Sequence, residues 1–436
     1  MAAEGSASDE ADSERASSER AQHLGTIPAM GEQLLLGARL GDGIGDVRIR
    51  DGVIAEVGTG LAPTAVAGSE GIDLDGYLLL PSPVEAHTHL DKAFLADVVG
   101  NPAGDLVGAI EAMEAAAGTF SVDDTTRRAV RAIELMAANG YTAIRTHVDV
   151  TEAAGLRPME AVLAARAATA DLVDVEIVAL CGQPVMGAEG AVHRSLLAEA
   201  MAMGADLVGG CPHLEPGSID AATSYLLQVA TDHGVGVDLH TDETLDAGVL
   251  GLADLASQVT GGFVHPVTAS HCVSLSMLSE ARQRQVAEQV AAAGIGVVVL
   301  PQTNLYLQGR AHHQATPRGI TAVAALRAAG VPVAAGQDNL QDPFNPLGSG
   351  CPLDIAALMV LVSHLSPDDA YRTVSDEARR VLARDPVSLK VSSPADLLAV
   401  RAGSLRQALA ERPPDRLVWR AGTLSARSAS QLQLER

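Results

Sequence analysis

Short apolar runs alternate along this chain with longer stretches in which Ala and Leu recur at helical spacing. Eight runs stand out: Tyr77–Val84, Thr142–Thr146, Val175–Leu180, Leu207–Gly210, Val235–Leu239, Val267–Ser270, Gly296–Leu300 and Val331–Ala335. From the second onward they recur roughly every thirty residues, the length of one strand–helix unit. Eight such units predict an α/β fold of the (β/α)8 TIM-barrel type over residues 80–387. A doubly wound sheet is the competitor, but no Gly-x-Gly-x-x-Gly follows an early strand. The first interval is longer and leaves room for an insertion over Ala93–Thr119.

The flanks follow a different pattern. Residues 25–79 hold short alternating segments split by Gly and Asp, such as Val47-Arg-Ile49 and Val53-Ile-Ala-Glu-Val57. Asp51-Gly52 between apolar positions signals a tight hairpin. Residues 388–425 return to short strands, Leu397-Leu-Ala-Val400 and Leu417-Val-Trp419. The two flanks are expected to form one small β-sandwich domain. Residues 1–24 are charged and poor in apolar side chains, which predicts a disordered extension, and 426–436 read as a flexible tail.

Composition narrows the class. Hydrophobic residues make up 47% and aromatics 2%, so the core must be built from Ala, Val, Leu and Ile. A net charge of −24 argues against nucleic acid and anionic membranes as partners. No apolar run approaches the ~20 residues of a membrane span, and the acidic N-terminus is not a secretory signal. Cys181, Cys211, Cys272 and Cys351 are far apart, with no Cys-x-x-Cys pair, which suggests free thiols in a cytoplasmic protein.

Barrel active sites gather at the C-terminal ends of the strands. Those ends carry His87 and His89; His147 and Asp149; Gln183; Cys211 and His213; His240 and Glu243; His271; Gln302 and Asn304; and Gln337, Asp338 and Asn339. Such a concentration of histidine is hard to reach by chance. His87, His89, His240 and Asp338 make an N3O donor set suited to one divalent ion, Zn or Fe, with a position open for water. The ion would lower the pKa of that water. Asp338 can take its proton, Glu243 can carry a proton to a ring nitrogen or leaving amine, and His271 can hydrogen-bond the developing tetrahedral centre. His147 reads as support for the ligands, with Asp149 as its partner. The fourth strand ends without a lysine, so nothing suggests a bridging carbamate and a second ion.

At these residues the chain resembles the amidohydrolase superfamily, and within it the cytosine deaminase-like branch. The resemblance runs from about Leu80 to about Pro386. It is carried by Val84-Glu-Ala-His-Thr-His-Leu-Asp91, Arg145-Thr-His-Val-Asp-Val150, Asp238-Leu-His-Thr-Asp-Glu243, Thr268-Ala-Ser-His271, Asn304-Leu-Tyr-Leu-Gln-Gly-Arg310, Pro317-Arg-Gly-Ile-Thr321 and Asp342-Pro-Phe-Asn-Pro-Leu-Gly348. It implies the same ligands, Glu243 as proton shuttle, His271 as activator of the attacking water, Gln183 on the substrate ring, and a homo-oligomer.

Three departures bear on substrate. Asn339 stands where cytosine deaminases have a second aspartate, Lys92 follows His-Leu-Asp, and Phe344 replaces a larger aromatic. Lys92 and Asn339 are similar to N-isopropylammelide-type triazine amidohydrolases. Lys92 either neutralises an oxyanion on the substrate ring or pairs with Asp91 or Asp338. The expected activity is hydrolytic deamination of an amino-substituted N-heterocycle. The alternatives are release of an alkylamine from a triazine, cleavage of a cyclic amide, or a non-catalytic binding protein on the same frame.

Overall fold

The computed structural model describes residues 32–41, 43–62 and 71–430. The N-terminal stretch read as disordered, 1–24, lies outside the described residues, as do 431–436.

Five short strands come first: β1 (Gln33–Leu40), β2 (Gly43–Arg50), β3 (Val53–Gly58), β4 (Ile72–Asp73) and β5 (Leu78–Pro81). The Asp51-Gly52 hairpin forms as expected. Arg50 faces Val53 across β2 and β3, and both turn residues have positive φ, 51° and 80°, as a two-residue turn that follows the strand twist requires. Eight parallel strands follow: β6 (Glu85–Thr88), β7 (Ala143–Val150), β8 (Asp174–Cys181), β9 (Leu207–Gly210), β10 (Val237–Thr241), β11 (Val267–His271), β12 (Gly296–Val299) and β13 (Val333–Ala335). Each pairs with the next in chain order. Their side chains are almost all buried, which is why they read as continuous apolar runs and not as alternating ones.

The first run was misassigned. Within Tyr77–Val84, the segment Leu78–Pro81 belongs to the flanking sheet, and the first barrel strand begins at Glu85. Pro81 and Pro83 each lack an N–H, so one continuous ladder strand cannot run through them.

After the barrel come β14 (Leu397–Val400), β15 (Arg416–Arg420) and β16 (Thr423–Ser428). Residues 426–428, assigned to the tail, are the end of β16. β14 runs antiparallel to β5, with Leu397 opposite Pro81 and Val400 opposite Leu78, so the two flanks share one sheet. Leu35, Ile54, Leu79, Leu397 and Trp419 fill its core. The strand entering the barrel and the first strand leaving it are thus hydrogen-bonded neighbours.

Trp419 is fully buried, and its indole N–H donates to Gln33 Oε1 at 3.1 Å. Truncating a buried aromatic costs about 3–5 kcal/mol. Trp419→Ala is therefore expected to move the denaturant midpoint down by that much stability; an unchanged midpoint would mean the flanking sheet does not support the barrel.

Candidate active site

The barrel closes through a potential ligand. Asp338 N donates to His87 O at 2.8 Å, and His89 N donates to Asp338 O at 3.1 Å. This places the Asp338 carboxylate beside both histidines. Its Oδ1 lies 3.3 Å from His89 Nε2 and 3.6 Å from His87 Nε2, and His240 Nε2 lies 3.3 Å from His89 Nε2. Tetrahedral ligands at about 2.0–2.1 Å from an ion stand about 3.3–3.4 Å apart, so these spacings fit one small cation. His87 Nε2 and Asp338 Oδ2 are buried without a hydrogen-bond partner among the described residues. Burial first, then the neighbouring imidazoles, lowers the pKa of His87 and His240 far below the histidine norm. Neutral rings with free lone pairs around a buried carboxylate are what a divalent cation needs.

A polar layer beneath holds these side chains. His87 Nδ1 lies 2.8 Å from Ser270 Oγ, which donates to Asp238 Oδ1 at 2.9 Å. Arg145 donates to Asp238 Oδ2 at 3.0 Å. Burial would raise the Asp238 pKa, but His147 and Arg145 hold it below the usual carboxylate value, so Asp238 only accepts. The Ser270 proton therefore points at Asp238, and its oxygen takes the His87 Nδ1 proton, which leaves Nε2 free. His147 stacks on His87 at 3.9 Å between ring centres, and its Nε2 sits 3.5 Å from Asp238 Oδ1. Asp149 was the expected partner of His147; it pairs instead with Lys92 at 2.8 Å. His213, which read as structural, lies with Nδ1 3.1 Å from the carbonyl of His240.

Glu85 was missed. Its Oε1 accepts from His87 N at 3.1 Å and Gln337 N at 2.8 Å, so one buried carboxylate clasps both sides of the barrel seam. A Cβ on Gly336 would meet that oxygen at 2.7 Å. Asp238 and Ser270 were missed as well. A signal existed for two of the three: Glu85 stands two residues before His87, and Asp238 two before His240. Strand neighbours at i and i+2 share a face.

Glu243 and His271 stand over the ligand cluster. Asn304 Nδ2 donates to Glu243 Oε1 at 3.3 Å and lies 3.1 Å from His271 Nδ1. An amide N–H can only donate, so Nδ1 accepts and the His271 proton sits on Nε2. That Nε2 is buried without a partner among the described residues. Burial lowers the His271 pKa to about 4. Burial, then the Asp338 charge, raises Glu243 far above the usual glutamate value. His271 and Asp338 both have left-handed backbones, φ 70° and 63°. This is uncommon for residues with a Cβ and is often found at functional sites.

A cavity with an empty volume of about 1200 Å³, its open mouth included, reaches this cluster. Lys92, Gln183, Glu243, Asn339 and Phe344 all line it. Lys92 is 5% exposed, and its Nζ lies 3.3 Å from His89 Nδ1 and 5.1 Å from the centre of the Phe344 ring. Burial alone would lower the Lys92 pKa, but Asp149 and Asp91 outweigh this and keep the ammonium charged. Asn339 donates to Asp342 Oδ2 at 2.8 Å, and Gln183 donates to Cys181 O at 3.2 Å.

Comparison with known proteins places the chain in a family. A family model described as "Amidohydrolase family" matches residues 112–425. A pterin deaminase of Rhizobium rhizogenes is 34% identical over 391 residues, covering 88% of each chain. The crystal structure of a 5-methylcytosine deaminase from Klebsiella pneumoniae, liganded with 5-fluorocytosine, superposes with TM-score 0.82 at 31% identity, covering 92% of this chain and 99% of that one. An N-isopropylammelide isopropylaminohydrolase from Burkholderia multivorans superposes with TM-score 0.79 at 32% identity, with the same coverage. A barrel closed by Asp338 against His87 and His89, and a family match over most of its length, lead to one conclusion: the chain belongs to the amidohydrolase family.

Proposed function

We propose that this protein is a metal-dependent hydrolytic deaminase of an amino-substituted N-heterocycle, a cytosine-like pyrimidine or related ring. The observation that carries this reading is the cluster of His87, His89 and His240, with the Asp338 carboxylate 3.3 Å from His89 Nε2 and 3.6 Å from His87 Nε2 and with Glu243 and His271 lining the same cavity. Relatives named as pterin deaminase and 5-methylcytosine deaminase support it.

His87, His89, His240 and Asp338 would hold one divalent ion, Zn or Fe. When bound, the ion supplies Lewis acidity that brings the pKa of a water toward neutrality. The reaction exchanges a ring amine for oxygen: water adds to the ring carbon, and ammonia leaves. Asp338 accepts the first proton of the attacking water, and Glu243 accepts the second only after it has given its own proton to the ring nitrogen. Glu243, whose raised pKa favours the protonated form, passes a proton to the ring nitrogen and on to the departing amine. His271 donates its Nε2 proton to the attacking oxygen and the developing oxyanion. Gln183, Asn339, Lys92 and Phe344 orient the ring. Lys92, paired with Asp149 and charged, is placed to meet a ring oxygen.

A second reading has its own support. Lys92 and Asn339 match the pattern of enzymes that release an alkylamine from a triazine, and such an enzyme is among the structural relatives. Amino-pyrimidines, amino-purines, pteridines and N-alkylamino-triazines, assayed for ammonia or amine release, separate the two. No helix among the described residues is long and apolar enough to cross a membrane. The free cysteines Cys181, Cys211, Cys272 and Cys351 support a cytoplasmic location.

Two outcomes are expected. Glu243→Gln keeps its metal content but loses about 10²–10⁴-fold in kcat; near-normal turnover would assign the proton transfer to another group. Ser270→Ala and Asp238→Asn weaken metal affinity by about 10–100-fold, measured by competition with a chelating dye, without loss of folded structure. Unchanged affinity would show that the Asp238–Ser270–His87 chain does not orient the ligand.

A further inference from the structure

The cavity that Gln183, Glu243 and Asn339 line also has an apolar wall. Part of its outer wall is the helix Leu106–Ala116, which lies in the long connection between β6 and β7. Leu106, Ile110 and Met113 line the cavity, and their i, i+4, i+7 spacing puts them on one side of the helix. All three are half-buried, and Ala109 is the only fully buried residue of this helix. The apolar stripe is therefore turned toward the cavity and not into the core. Phe120, Pro158 and Leu214 add further apolar lining.

Charge at this end does not favour an anion. Arg128 donates to the carbonyls of Asp91 at 2.8 Å and Ala93 at 2.9 Å. Arg157 donates to the carbonyls of Ala154 and Ala117, each at 3.2 Å. Both guanidinium groups hold the wall together, and Glu114 beside them is acidic. An apolar wall facing water favours any apolar group that covers it.

We propose that this outer part is a subsite for an apolar extension of the substrate, so that the reacting ring is fused to a second ring or carries a hydrocarbon substituent. The inference rests on the deaminase reading for the identity of the reacting ring. Polar groups at the inner end hold the amine-bearing ring, and the stripe of Leu106, Ile110 and Met113 selects what is attached to it.

The test compares probes that share one amine-bearing ring: isocytosine, the same ring fused as pterin, and the same ring bearing an alkyl chain. Affinities are measured by calorimetry on the metal-loaded Glu243→Gln protein, and ammonia release on the unmodified enzyme. At least one extended probe is expected to bind about tenfold or more tightly than isocytosine. Ile110→Ser and Met113→Ser should each shrink that preference while isocytosine affinity stays put. Val107→Ser, on the 60% exposed side of the same helix, should leave it intact. The fused and alkylated probes show which kind of extension is taken. Equal affinity for all three probes, or a preference that survives both cavity-facing serines, would overturn the subsite. A preference without ammonia release from any probe would leave the subsite standing and sink the deaminase reading; ammonia from every probe with no preference would do the reverse.

Discussion

One pair of backbone hydrogen bonds organises this molecule. Asp338 donates to His87 and accepts from His89, and these bonds tie the segment after the last barrel strand to the first strand. The same residue puts its carboxylate within 3.3–3.6 Å of both imidazoles. Closure of the barrel and the approach of this carboxylate to the two imidazoles are therefore one event. Glu85 reinforces it from below by accepting N–H groups from both sides of the seam. A barrel that failed to close would present two histidines and no carboxylate.

Burial decides which protonation states the site favours. The ligands, Glu243 and His271 lie almost wholly out of water, where neutral forms are favoured. The same burial that disfavours charged imidazoles raises the pKa of Glu243. Asn304 couples the two residues above the cluster and sets which His271 nitrogen carries the proton. Asp238 keeps its charge despite burial. Arg145 and His147 hold it charged beneath the cluster, so it can anchor Ser270 and, through it, His87.

Much of this was legible in the sequence, for identifiable reasons. Parallel barrel strands are covered on both faces and stand out as apolar runs, so seven of the eight were located within a few residues of their ends. The first was not, because β6 begins with Glu85, follows two prolines and spans only Glu85–Thr88. The clustered histidines and Asp338 showed themselves as polar residues where an apolar run stops. Their supports did not, because they depend on pairings between distant strands. Ser270 reaches across to His87, and Asp238 to His147 and Arg145. Asp149 looked like the partner of His147 because i and i+2 share a strand face, yet it turns to Lys92, which lies past the end of another strand. Asn304 was visible at a strand end, but its bridging role needs the fold.

The barrel face is proposed to hold one divalent ion between three imidazoles and one carboxylate. Anomalous diffraction at the absorption edge of the bound metal, from crystals of the metal-loaded protein, tests it most directly. A single peak within bonding distance of His87 Nε2, His89 Nε2, His240 Nε2 and the Asp338 carboxylate is the expected result. Two peaks, or one peak that leaves Asp338 uncoordinated, would contradict it.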